Sequence, residues 1–262
     1  MAIGIGIYLG VPKQRVTIGG GGDLATELTF YYKEYVESIG GTLIDEVAVK
    51  AEYEDLISKS EHEIETYVFG YQFGMVKNES NEISKLIGLV KVNGNYPIMQ
   101  QTTPNSLPIW ATDYIQFYDG TYGKNFVLQN NLGYAKNSFY TETIAKKQYI
   151  SGLTYSESSN PTTSGLRHGT QSTNRLLVLT YNISGSAIAT SNNDYFLNEF
   201  ATYRVNYVRT GDSCVPTLLR NGESFQAMGS RTWDRPLETA FQLTGGSTAS
   251  HELKKFKMAL IQ

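Results

Sequence analysis

Paired carboxylates facing one cleft can hydrolyse a glycosidic bond, so acidic residues are the first to weigh. From Tyr96 onward they are sparse, and none forms the Glu-x-Asp-x-Glu run that would aim several carboxylates from one face of a strand. Most sit beside turn residues, where solvated surface or turn capping is the expected role. His62, His168 and His251 are far apart and do not form a metal-ligand spacing. No G-x-S-x-G elbow is present. Gly19 to Gly22 precede a helical pattern but lack the Lys-Ser/Thr of a phosphate loop. Cys214, the only cysteine, adjoins Val215 and Pro216 with no base in view. It is expected to be an inert thiol, and an intramolecular disulfide is impossible.

Aromatic residues are the more suggestive chemistry. The chain has 19 Tyr and 2 Trp, and such rings offer a flat apolar face with a polar handle, suited to sugar stacking and to protein interfaces. Trp233, in the polar stretch SRTWDRP, and Tyr114, Tyr118, Tyr122 and Tyr195 are the candidate ligand-binding residues. Trp110 is assigned to core packing.

The elements that must position these residues fall into three stretches. Residues 1–22 form an arm in which GIGIYLG is a short strand candidate, Pro12 breaks it, and Gly19 to Gly22 act as a flexible joint. Residues 23–95 read as a helical module for docking or oligomerisation. Asp23 and Asp45 are the expected N-caps, and Leu24, Leu28, Tyr31, Tyr35 and Ile39 recur at helical spacing up to Gly40. A third helix is expected over roughly residues 61–76 and a fourth over residues 83–90. Gly70 and Gly74 weigh against the third, each costing about 1 kcal/mol in a helix interior.

From Tyr96 to the end the period becomes 2, and roughly ten short strands with closely spaced turns predict an antiparallel sandwich over residues 96–262. Tyr203, Val205 and Tyr207 share one strand face, with Arg204 and Asn206 on the other. Asn221-Gly222 predicts a type I′ hairpin, because both of its central residues need positive φ. Hydrophobic residues make up 40% of the chain, enough for a core. Net charge is −3 with 22 scattered Lys and Arg, which argues against a nucleic-acid surface. No apolar run approaches the roughly 20 residues that span a bilayer. The start MAIGIGIYLGVPKQ lacks the basic lead and small-residue cleavage pattern of a secretory signal, so folding in a cytoplasm is expected.

Three stretches carry a family resemblance: Gln100 to Leu128 with its QTT…LPIW start and Asp119-Gly120 end, Phe200 to Phe225 with its Asn-Gly hairpin, and Phe241 to Ile261 with its GG…F…M pattern. They resemble the concanavalin A-like (laminin-G-type) jelly-roll domains that recur in bacteriophage virion proteins. The leader Thr26 to Leu43 resembles the segment that precedes such domains in tail and head-appendage proteins. The arm resembles starts found in virion proteins of phages of Bacteroidota, crAss-like phages included. The resemblance implies a mainly β fold: a concanavalin A-like antiparallel jelly-roll sandwich behind a small helical N-terminal module. It implies a non-enzymatic structural component of a virion, as head appendage or tail. Such a component would be assembled in the host cytoplasm and held to other virion proteins by its arm and helices. It would be a homo-oligomer, dimer or trimer, that meets cell-surface or mucus glycans. It further implies calcium at a sandwich edge, with Asp119, Asp194 and Asp212 as candidate ligands. The alternative is a free-standing glycan-binding or glycan-cleaving protein on the same fold.

Overall fold

The computed structural model describes residues 23–101, 103, 107–117, 125–128, 137–146, 166–170, 176–182, 185–190, 195, 197, 199–232, 241–244 and 252–261. Asp23 and Asp45 are the caps that their positions predict. Asp23 Oδ1 accepts the Thr26 N–H at 2.8 Å and starts α1 (Leu24–Ser38). Gly40, at φ +73°, ends it. After a short strand, β1 (Thr42–Leu43), Asp45 accepts the Ala48 N–H at 3.0 Å and starts α2 (Glu46–Ser58).

Beyond α2 the expected helices are strands. Residues 61–76 hold β2 (Thr66–Gly70) and the start of β3 (Gly74–Lys77), and residues 83–90 hold β4 (Ile83–Ile87). Ile64, Tyr67, Val68, Tyr71 and Met75 do lie at helical spacing. A strand covered on both faces shows no alternation, however, and every residue of β2 is buried. Gly74 marks a close approach: a Cβ there would stand 2.4 Å from Val36 Cγ2 and 2.8 Å from the Tyr32 hydroxyl.

The chain continues through β5 (Ile98–Gln100), β6 (Ile109–Ala111), β7 (Tyr114–Gln116), β8 (Asn125–Leu128) and β9 (Phe139–Lys146). Next come β10 (Leu166–Thr170), β11 (Leu176–Asn182) and β12 (Gly185–Thr190), which form a three-stranded sheet of their own. The last elements are β13 (Ala201–Thr210), β14 (Ser213–Arg220), β15 (Glu223–Ala227), β16 (Arg231–Thr232), β17 (Phe241–Thr244) and β18 (Glu252–Leu260). Between β14 and β15, Asn221 and Gly222 take φ of +52° and +82°, the expected hairpin turn.

All pairings among the described residues are antiparallel. One sheet of 6 strands runs β1-β3-β4-β5-β8-β17; another of 9 runs β15-β14-β13-β9-β18-β7-β6, with β2 added on β18 and β16 on β14. Met75, Leu86, Met99 and Leu128 from the first sheet meet Phe139, Tyr203, Val205, Leu218, Phe256 and Met258 from the second in one buried core. The protein is therefore a mainly β antiparallel sandwich with a short helical N-terminal part, the class that the sequence predicts.

The helices do not stand apart from the sandwich. Tyr32 and Val36 of α1 and Val49, Tyr53 and Leu56 of α2 share a second core with Val68, Phe73, Ile87, Leu89 and Tyr96. The Tyr32 hydroxyl donates to the Ile87 carbonyl at 2.7 Å and accepts the Gly74 N–H at 2.9 Å. The Tyr53 hydroxyl donates to the Leu89 carbonyl at 2.6 Å. The ladder from β4 to β5 crosses the position between 95 and 96 where a module boundary is expected. Most apolar residues of the helices pack on their own chain, while Leu24, Phe30 and Val47 stay exposed. The arm, residues 1–22, lies outside the described residues.

Two outcomes follow for stability. Tyr32→Phe strands one N–H and one carbonyl in the core and is expected to cost about 1–3 kcal/mol; urea titration should show a lower midpoint with an unchanged slope. Burial pushes the Cys214 thiol up to about 11 and the Tyr96 hydroxyl up to about 12, from 9.0 and 10.0. Below pH 9 both states keep these protons and stability is complete. Above it the unfolded chain releases protons that the folded chain retains, so the denaturation midpoint should fall progressively between about pH 9 and 12. A thiol reagent applied at pH 8 should label the buried Cys214 only after unfolding.

Candidate functional site

Strand β18 carries the sequence ELKKFKM, and its register sorts those side chains. Leu253 lies opposite Ala145 of β9, and Lys255 lies opposite Ile144, the next residue of that strand. Lys254 is thus the extra residue of a β-bulge. On the far side of the bulge Phe256 and Met258 enter the core, while Lys255 and Lys257 face outward. The register extends that outer face across the sheet. Lys257 is opposite Glu142 of β9, which is opposite Arg204 of β13; Ile144 is opposite Thr202, and Glu252 is opposite Lys146.

Helix α2 lies over this face and closes one end of it. Lys257, with its side chain 2% exposed, pairs with Glu61 at 2.5 Å and lies 3.7 Å from Asp55. The other Glu61 oxygen accepts the Tyr140 hydroxyl at 2.5 Å. The Arg204 guanidinium stacks on the Tyr140 ring at 3.6 Å and lies 3.9 Å from Glu142. Burial first, and then Glu61, push the Tyr140 hydroxyl far up, so it remains a protonated donor. Both oxygens of Glu61 are engaged. This end is a clamp between strand and loop.

The other end is open. A cleft of about 180 Å³ is lined by Ala48 and Glu52 of α2, by Gly70, Tyr71, Gln72 and Phe73 of the turn after β2, and by Ile144, Lys254 and Lys255 of the sheet. Glu52 and Lys255 pair across its wall at 2.9 Å. Gln72 donates to Asp45 Oδ2 at 3.2 Å, and the Tyr71 N–H donates to the Lys254 carbonyl at 3.1 Å. The bulge sends the Lys254 ammonium over the Phe200 ring, 4.4 Å from its centroid, with Lys146 at 6.0 Å from the same ring. Tyr114 completes the group, its ring 6.2 Å from Phe200 and tilted by 44°. Apolar ring faces and polar groups therefore meet at one rim.

Of the residues nominated from sequence, Tyr114 is half-buried at this rim. Tyr195 is corrected to a core residue: it is fully buried, and its hydroxyl donates to the Leu219 carbonyl at 2.6 Å with the Arg204 carbonyl 2.9 Å away. No face of that ring is left for a ligand. Trp233, Tyr118, Tyr122, Asp119 and Asp194 lie outside the described residues. Asp212 is exposed in the turn between β13 and β14. Among the described residues no group of three His, Cys, Asp or Glu side chains is placed to hold a metal ion. Trp110 is partly buried against the core and donates to the Tyr71 carbonyl at 3.0 Å. Phe200, Gln72, Lys254 and Glu52 were not nominated. The adjacent lysines in ELKKFKM break alternation and were the one visible sign of the bulge.

No known family profile and no curated protein matches the sequence. Solved structures with distant similarity include the VIP36 exoplasmic/lumenal domain in its Ca2+/Man2-bound form, at TM-score 0.40 and 14% identity over 59% of this chain and 79% of that one. They include endo-1,3-beta-glucanase from Streptomyces sioyaensis, at TM-score 0.34 and 12% identity over 70% and 83%. They also include the legume lectin-like domain from Entamoeba histolytica, at TM-score 0.32 and 13% identity over 59% and 87%. The architecture rests on the strand pairing described above.

The clamp has a measurable consequence. Lys257→Met leaves the Glu61 carboxylate buried without its cation, and the expected cost is about 3–5 kcal/mol. Lys257→Met combined with Glu61→Gln should recover most of that loss when both variants are unfolded in urea.

Proposed function

We propose that the protein is a non-enzymatic display protein that binds a glycan in the cleft of its outer face, as a structural component of a bacteriophage virion in head appendage or tail. The observation that carries the glycan reading is the rim itself. Tyr71, Gln72, Glu52 and Lys254 line the cleft, and the Lys254 ammonium reaches over the Phe200 ring, which Tyr114 adjoins; this pairs apolar faces with the hydrogen-bonding groups that sugars require. The carboxylates near the cleft support the non-enzymatic part. Glu52 is held by Lys255 and Glu61 by Lys257 and Tyr140, so neither is free for the paired acid and base of glycoside hydrolysis.

The virion setting is supported by the sequence resemblance of the jelly-roll stretches and by the apolar arm. In this reading the arm and the outer side of α1, where Leu24 and Phe30 are 45% and 48% exposed, contact other virion proteins or further copies in a dimer or trimer. The protein then resides in the particle after assembly in the host cytoplasm. Asp119, Asp194 and Asp212 are the residues that would hold a calcium ion in this reading.

A glycan array probed with the full chain and with Phe200→Ala tests the binding reading. Truncating a central aromatic is expected to weaken any binding at least about tenfold. Binding untouched by Phe200→Ala, or no binding to any glycan, would overturn it. Finding the chain in purified particles tests the setting.

A further inference from the structure

We propose that the cleft selects acidic glycans, and that Lys254 is the residue that receives the carboxylate or sulfate of the sugar. This inference rests on the glycan-binding reading and adds its specificity.

Charge around the cleft is unevenly settled. Lys255 is paired with Glu52 at 2.9 Å, and Lys146 with Glu252 at 3.3 Å. Lys254 has no carboxylate within ion-pair reach among the described residues; its ammonium is held only by the Phe200 ring at 4.4 Å. An ammonium has three N–H donors, and a ring face takes one of them. The others remain for an anion placed beside the ring.

The bulge puts two successive lysines on this face. Lys254 has no partner residue in the ladder to β9, its carbonyl is bound by the Tyr71 N–H at 3.1 Å, and its ammonium lies over the Phe200 ring. Alternation from the inward Leu253 turns Lys254 to the outer face, and the bulge then keeps Lys255 on that face as well. The opposing charges also set an orientation. Asp45 spends one oxygen on the Ala48 N–H and the other on Gln72, which places a carboxylate behind the Gln72 wall of the cleft. An anionic substituent is repelled from that side and drawn to the Lys254–Phe200 side, leaving neutral hydroxyls for Gln72 and Glu52.

The test is a set of binding isotherms on the full chain. The probes are an oligogalacturonate, its carboxyl-reduced neutral counterpart and a chondroitin sulfate oligosaccharide, each at low and high salt. The acidic probes are expected to bind about tenfold more tightly than the neutral one, and the margin should shrink with salt. A carboxylate-specific and a sulfate-specific site are separated by which acidic probe leads. Lys254→Met should abolish the preference by bringing the acidic probes down to the affinity of the neutral one, and Lys254→Arg should retain it. Equal binding of acidic and neutral probes, or a preference that survives Lys254→Met, would overturn this inference alone. Absence of binding to every probe would overturn the glycan reading and this inference with it.

Discussion

One extra residue in β18 governs what the two faces of the larger sheet contain. Without the bulge at Lys254, strict alternation after Leu253 would turn Lys255 and Lys257 into the core and Phe256 and Met258 toward solvent. The bulge restores the phase, so the sheet keeps its apolar inner face and gains a charged outer one. The same residue leaves the ladder and supplies the unpaired cation at the rim. Packing and chemistry are thus settled by a single register change.

That phase in turn obliges the rest of the chain to protect what it exposes. Strand β18 pairs with β9 along one edge and needs β2 and β7 on the other. Bringing β2 there draws α2 across the outer face, over Lys255 and Lys257. Glu52, Asp55 and Glu61 arrive with the helix and the loop behind it and neutralise both lysines. A buried ion pair contributes little net stability compared with apolar residues of similar size, yet breaking one partner is costly. Its effect is to penalise any register in which Lys257 lacks Glu61. The helical leader is therefore a structural part of the sandwich and not an appendage to it.

Much of this was legible in the sequence, for identifiable reasons. Strands β9, β13 and β18 alternate or end at clear turn residues, and Asn221-Gly222 admits one common hairpin geometry. Strands β2 to β4 were misread because burial on both faces erases alternation, and apolar residues such as Ile83, Leu86, Ile87 and Val90 then match helical spacing as well as strand. Tyr195 was misassigned because a tyrosine whose hydroxyl is satisfied by two carbonyls has no local signature that separates it from an exposed one. The cleft was beyond reach for a different reason. Its walls come from α2, the turn after β2, β9 and β18, and nothing local in sequence ties Glu52 to Lys255.

The distance in sequence between those walls bears on how the cleft works. A site built from loops alone must be ordered by its ligand, at a cost in affinity. Here one wall is a helix whose neighbour is fixed by the Tyr32 bonds to Ile87 and Gly74, and whose own Tyr53 is bonded to Leu89. The floor is the centre of a sheet. The Glu52–Lys255 pair joins wall to floor, with side chains only 10% and 19% exposed, where screening by salt is weak. The cleft is consequently preformed, and a ligand has to order little beyond the Lys254 and Gln72 side chains. Selectivity then falls to those groups, and the charge on Lys254 is the property by which they can most strongly distinguish one sugar from another.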